Sequence, residues 1–206
     1  MKIITLTLGA LAVNTYIVFT EGSKECAVID PADGFEALDS ELQKNSLIPS
    51  GIILTHSHFD HTSSLKQLKK KYSCPIYLHR DEAEMLADSV KNLSAHYGNE
   101  PIEISNPEKL LEDGDTFELA GLFFDVLHTP GHSVGSAVYK CENVLFTGDT
   151  LFNGCCGRCD FWGGDTSQMR NSLDRLFTLD NSFKVLPGHG EATTIGAQRS
   201  YYKYFI

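Results

Sequence analysis

The segment His56-Ser57-His58-Phe59-Asp60-His61 places three imidazoles and a carboxylate within six residues. It follows directly on the apolar run GIILT at 51–55. Imidazole and carboxylate are the ligands that zinc, iron and manganese accept at neutral pH. In an extended segment alternate side chains point the same way, so His56 and His58 can reach one ion. Asp60 and His61 fall where the chain turns toward the next helix and can reach a second. A solvated polar loop is the bland alternative, and this density of costly groups argues against it. Three further candidates share one setting, a polar side chain where an apolar strand meets a turn. His132 follows FFDVLHTPG, Asp149 follows VLFTG and His189 follows KVLPG. Each alone reads as an ordinary loop residue. Together with the first motif they make a plausible set for two ions, gathered on loops where such sites are commonly built.

The elements that must position these residues alternate along the chain. Strand-like runs cover 3–8, 14–20 and 26–29, and an amphipathic helix is expected at 35–45, with Phe35, Leu38 and Leu42 at helical spacing. The uninterrupted apolar run at 51–55 reads as a strand buried on both faces. Helices are expected at 63–72 and 81–97, separated by a strand at 75–79. Short strands follow at 116–119, 123–127, 136–139 and 144–147, punctuated by Gly114 and Gly121. A helix at 167–179, a strand at 184–186 and a closing helix at 193–205 complete the pattern. With no long linker and no low-complexity segment, residues 1–206 read as one α+β domain, with helices covering two packed sheets.

Composition narrows the classes. The chain is 42% hydrophobic and 21% charged, which fits a globular protein. Its formal net charge of -10 repels phosphate backbones and argues against nucleic acid as a partner. The one basic cluster, Lys66, Lys69, Lys70 and Lys71, reads as a solvated helix face. No run reaches the roughly 18 apolar residues of a membrane span, and threonines interrupt the N-terminal apolar pattern, so neither a membrane nor an export signal is expected. The expectation is a cytoplasmic protein whose six cysteines stay reduced. The oligomeric state is left open.

The ordered set, H-x-H-x-D-H and then a later His, a later Asp and a last His, resembles the metallo-β-lactamase superfamily. The resemblance spans about residues 30–189. It implies a four-layer αβ/βα sandwich. It also implies that His56, His58 and His132 hold a first metal, that Asp60, His61 and His189 hold a second, and that Asp149 bridges them. Two divalent ions follow, zinc in first place, with iron and manganese also suited. Asp30 resembles the family's supporting Asp and would orient a ligand His, although a plain strand-ending Asp fits it nearly as well. His79, His96 and His128 read as ordinary structural residues, with His128 near enough in sequence to support His132.

The stretch Gly157-Arg158-Cys159-Asp160 resembles the G-R-x-D segment of glyoxalase II-like hydrolases and of the related persulfide dioxygenases. It implies that Arg158 binds substrate; an internal salt bridge with Asp160 is the competing reading. Cys155, Cys156 and Cys159 are expected as reduced thiols near the site mouth. Only 17 residues follow His189, so the glutathione-gripping helical region of longer relatives is not expected. The implied activity is hydrolysis of a small-molecule thioester, such as S-lactoylglutathione, or a related ester. The nucleophile would be a hydroxide bridging two metals about 3.5–4 Å apart, oriented by Asp60. The alternative is a mono-iron persulfide dioxygenase, whose ligands are contained within the same set. Pro187-Gly188-His189-Gly190 looks like the hydrolase form of the last ligand loop and favours the first reading.

Overall fold

The computed structural model describes residues 1–98 and 100–202. Among these, twelve strands form two six-stranded sheets in which spatial order follows chain order. The first sheet contains β1 (Lys2–Leu8), β2 (Val13–Phe19), β3 (Glu25–Ile29), β4 (Ile48–Leu54), β5 (Ile76–His79) and β6 (Lys109–Leu111). The second contains β7 (Thr116–Leu119), β8 (Leu122–His128), β9 (Ala137–Cys141), β10 (Val144–Gly148), β11 (Lys184–Pro187) and β12 (Thr193–Thr194). Strands β1 to β3 pair antiparallel, whereas β3 to β6 pair parallel. The second sheet is antiparallel except where β10 meets β11.

Parallel neighbours require crossovers, and helices supply them. Helix α1 (Phe35–Lys44) joins β3 to β4. The short α2 (Phe59–Thr62) and α3 (Leu65–Tyr72) lie between β4 and β5. Between β5 and β6 come a 3-10 turn (Arg80–Glu82), α4 (Ala83–Leu86) and α5 (Ser94–Tyr97). Helix α6 (Thr166–Leu176) joins β10 to β11, and α7 (Ile195–Arg199) ends the described chain.

Side-chain alternation divides the interior into three layers of contact. Ile53 of β4 joins Val18 and Ile29 in packing against Phe124, Val126, Tyr139 and Phe146 of the second sheet. Its neighbours Ile52 and Leu54 face the other way and meet Leu38, Leu42, Leu65 and Leu68 of α1 and α3. On the far side, Val138, Leu145 and Val185 carry Met169, Leu173 and Leu176 of α6. The result is the expected four-layer αβ/βα sandwich. Fully burying each such side chain contributes about 1.5–3 kcal/mol. That reserve offsets the cost of a buried polar centre.

Two expectations need correction, and one strand was not expected. The single helix expected at 81–97 is broken, because polar side chains bind backbone in its middle. Asn92 donates through Nδ2 to the carbonyls of Met85 and Ile102, and Asp88 Oδ1 accepts from the amides of Val90 and Lys91. Leu93 then takes a left-handed conformation (φ 70°) before α5 begins. Such side-chain bonds compete with the helical ladder. The closing helix at 193–205 starts as β12, shortens to α7, and its last three residues lie outside the described range. Strand β6 is short and lacks the apolar alternation that would mark it in sequence.

Candidate metal centre

The parallel strands deliver their C-terminal ends to one edge of the sandwich, the usual place for sites in α/β sheets. Asp30 follows β3, His56 follows β4, Asp149 follows β10 and His189 follows β11. His132 sits on the loop between β8 and β9. All seven expected ligands come together there. His56, His58 and His132 form one buried group able to hold an ion, and Asp60, His61 and His189 form another.

Asp149 stands between the two groups. Its Oδ2 lies 3.5 Å from His132 Nε2 and 3.6 Å from His189 Nε2, while Oδ1 lies 3.4 Å from His61 Nε2. Asp60 Oδ2 is 3.4 Å from His189 Nε2 and 3.8 Å from His61 Nε2. His58 Nδ1 and His132 Nε2 converge to 2.8 Å.

The outward nitrogens are tied, which sets the tautomers. His61 Nδ1 lies 3.0 Å from Asp30 Oδ2, His132 Nδ1 is 2.8 Å from the Arg158 carbonyl, and His189 Nδ1 is 3.0 Å from the Leu11 carbonyl. Thr55 donates its hydroxyl to Asp30 Oδ2 at 2.6 Å, so its oxygen accepts from His56 Nδ1 at 3.1 Å. Each of these rings therefore aims its Nε2 at the centre. Among the described residues, three buried side-chain atoms have no hydrogen-bond partner: His56 Nε2, His58 Nε2 and Asp149 Oδ1. Buried polar groups left unpaired are rare and costly, and an ion at the centre answers for His56 Nε2 and Asp149 Oδ1. The donor set, imidazole with carboxylate, fits a divalent metal.

Electrostatics differ between the two groups: burial disfavours the charged rings of His61 and His189, but the carboxylates of Asp149 and Asp60 outweigh it and raise both, His61 well above its ordinary pKa. Burial, then the neighbouring imidazoles of His61 and His132, holds His56 well below its ordinary pKa. Burial and His132 lower His58 to about 3. Both rings are therefore neutral and able to donate lone pairs. At Asp60 burial raises the carboxyl pKa, but His61 and His189 outweigh it, so the group stays a carboxylate.

Close approach needs two glycines. A Cβ on Gly188 would sit 2.3 Å from Asp149 Oδ1, and one on Gly157 would sit 2.0 Å from the Asp149 carbonyl. The last ligand loop is also held by the opposite sheet. Asn14 Nδ2 donates to the carbonyls of Pro187 and Gly190, and Tyr16 donates to that of Pro187 at 2.6 Å. Neither Asn14 nor Tyr16 carries a sequence signal for this role, because the contact joins residues more than 170 apart.

A cleft of about 790 Å³ opens over the centre, lined by Leu11, Phe59, Tyr97, Phe152, Arg158 and Phe161 among others. Arg158 both lines this cleft and makes a bidentate pair with Asp160, at 2.6 and 2.7 Å, with its guanidinium 4.1 Å over Phe161. Cys155 is exposed and Cys156 and Cys159 are partly buried; among the described residues none joins a group able to hold an ion. His128 stacks on His79 at 3.9 Å and its Nε2 lies 3.0 Å from the Val134 carbonyl, so it supports that loop and not the His132 ring. With Asp81 the pair forms a further cluster of possible ligands, but His79 Nδ1 already accepts from the Asp81 amide.

Residues 8–189 match the family model of the metallo-beta-lactamase superfamily. The BLEG-1 B3 metallo-beta-lactamase is 35% identical, with a TM-score of 0.92 covering 98% of this chain and 99% of that one. TTHA1623, solved in a di-iron-bound form, is 35% identical, with a TM-score of 0.87 covering 98% of this chain and all of the other. Hydroxyacylglutathione hydrolase GloC of Haemophilus influenzae is 30% identical over 97% of this chain and 95% of its own length. The chain belongs to the metallo-beta-lactamase superfamily.

Proposed function

We propose that the protein is a binuclear metal-dependent hydrolase of a thioester or related ester. The observation that carries this reading is Asp149, unpaired at Oδ1 and facing imidazoles of both ligand groups. His56, His58 and His132 would hold one ion, Asp60, His61 and His189 the other, with Asp149 shared. Ions bound there would polarise a carbonyl as Lewis acids and lower the pKa of coordinated water to about 7. Zinc is the first candidate, and the di-iron form of TTHA1623 keeps iron in view.

The chain's own residues would do the rest. The Asp60 carboxylate, which lies 3.4 Å from His189 Nε2 at the second ligand group, would accept a hydrogen bond from the attacking water and so orient it. The apolar walls at Phe59, Phe152 and Phe161 displace bulk water around the carbonyl. Arg158 at the rim would bind an anionic part of the substrate, opening its pair with Asp160. A thiolate leaving group needs little protonation, so no separate general acid is required. The similarity to GloC supports a hydroxyacylglutathione thioester as the first substrate to try. A mono-iron dioxygenase would leave His189 without work. Here His189 is aimed by Leu11 at Asp60 and Asp149, which favours the hydrolase.

The test is steady-state hydrolysis of S-lactoylglutathione by metal-replete protein, with His58→Ala beside it. Turnover lost together with metal in the variant supports the proposal. Turnover retained with a full metal complement removes His58 from the ligand set. A single iron with oxygen uptake on glutathione persulfide would replace the hydrolase with the dioxygenase.

A further inference from the structure

Glu82 has no exposed surface, and among the described residues its hydrogen-bond partners include no cation. Burying a carboxylate unpaired costs several kcal/mol, so such a group persists only where donors surround it. Here the donors come from two loops distant in sequence. Oε2 accepts from the Ser57 amide at 3.0 Å. Oε1 accepts from the Gly135 amide at 2.9 Å and from the Ser133 hydroxyl. The Ser57 hydroxyl in turn donates to the Glu82 carbonyl at 3.4 Å.

The identity of those donors matters. Ser57 is the residue between His56 and His58, and Ser133 follows His132. The two loops that Glu82 joins are thus the two that carry the three-histidine group, and the first of them leads into α2 with Asp60 and His61. Their rings depend on a fixed separation of those loops: His58 and His132 have centroids 4.6 Å apart and converge on a common point. No direct hydrogen bond between Ser57 and Ser133 substitutes for the carboxylate. Ser133 is further fixed by Ser136, whose Oγ accepts from the Ser133 amide at 3.2 Å and lies 2.7 Å from its hydroxyl. Gly135 is required for the approach, since a Cβ there would sit 2.5 Å from the Glu82 amide nitrogen. The second ligand group has different ties, through Asp30 to His61 and through the Leu11 carbonyl to His189.

We propose that Glu82 is a positioning residue for the three-histidine ion site, clamping the His56–His58 loop to the His132 loop and leaving the Asp60–His61–His189 site to other ties. It touches neither substrate nor ion. This rests on the binuclear reading above. Replacing such a supporting group typically weakens a metal site about 10–100-fold. Glu82→Gln keeps the shape of the side chain but turns an amide N–H toward donors, so one loop must release it.

The test is zinc titration of wild type and Glu82→Gln against a chromophoric chelator, with thermal unfolding recorded for both. Wild type must first bind two zinc ions; binding fewer sinks the binuclear reading before the variant is compared. The expected result is one binding step weakened about 10-fold or more and the other within about twofold of wild type. Both steps unchanged, or both weakened alike, overturns the proposal. Should Glu82→Gln fail to fold, Ser133→Ala removes one donor and keeps the carboxylate. It is expected to weaken the same single step by a smaller factor, and no change in either step overturns the proposal equally.

Discussion

Asp30 shows how one side chain governs several ligands. It takes a left-handed backbone conformation (φ 50°), and its two oxygens engage the Thr55 amide, the Thr55 hydroxyl and His61 Nδ1. Through Thr55 it also reaches His56. Asn tolerates the same backbone region and can still accept the Thr55 amide, so Asp30→Asn should fold. What it loses is the negative charge behind the two imidazoles and the acceptor at Oδ2, where an amide N–H would face the Thr55 hydroxyl and His61 Nδ1. Metal affinity is expected to fall about 10–100-fold. Because His56 and His61 belong to different ligand groups, both binding steps should weaken, unlike the single step expected for Glu82→Gln. Zinc titration of the variant decides this, and unchanged affinity would leave Asp30 as a strand-ending residue only.

At the scale of elements, what was legible in sequence was what is local. The run at 51–55 followed by H-x-H-x-D-H marks a buried strand and the loop after it within a dozen residues; the strand is β4, which begins three residues earlier, at Ile48, and the side chains after it fall within the two clusters described above. The helix expected at 81–97 is different. Its apolar spacing is real, but Asp88 and Asn92 spend their side chains on backbone groups, one of them as far away as Ile102. Glu82 lies in that same stretch, in RDEAEML, where it looks like one more exposed acid among Asp81 and Glu84. Only the tertiary fold brings Ser57, Ser133 and Gly135 around it. Element ends also carry strain that can be tested. Ser73 caps α3 in a left-handed conformation (φ 54°), exposed, with its amide bonded to the Lys69 carbonyl. Glycine adopts this conformation without steric cost. Ser73→Gly is expected to stabilise the fold by about 0.5–1 kcal/mol, net of the extra freedom of the unfolded chain. In a chain of this size that is a rise of roughly 1–4 °C in Tm, read by calorimetry. A lower Tm would mean that the hydroxyl or the lost Cβ contributes more than the strain removed.

For the whole molecule, the centre adds to the ties between the two sheets, which also meet through the core and through contacts such as Asn14 to Pro187. Its ligands come from loops after β4, β8, β10 and β11, that is, from both sheets. An ion held there binds the folded chain and has no comparable site in the unfolded one, so its binding free energy adds to stability. At 100 times its dissociation constant one ion contributes about 2.7 kcal/mol. For a chain of this size that corresponds to roughly 5–11 °C in Tm. The ion-free state is further weakened by His56 Nε2 and Asp149 Oδ1, buried without partners, each of which costs about 1–3 kcal/mol if water does not reach it. Chelation should therefore lower Tm by at least several degrees, and added zinc should restore it. His58→Ala should show a smaller difference between the two conditions, because one of the two groups is already incomplete. Coincident unfolding curves with and without chelator would mean that the folded chain holds no ion tightly, and the hydrolase proposal would go with it. A chelator effect that zinc cannot reverse would point to irreversible unfolding of the ion-free state, which repeated scans separate from simple loss of the metal.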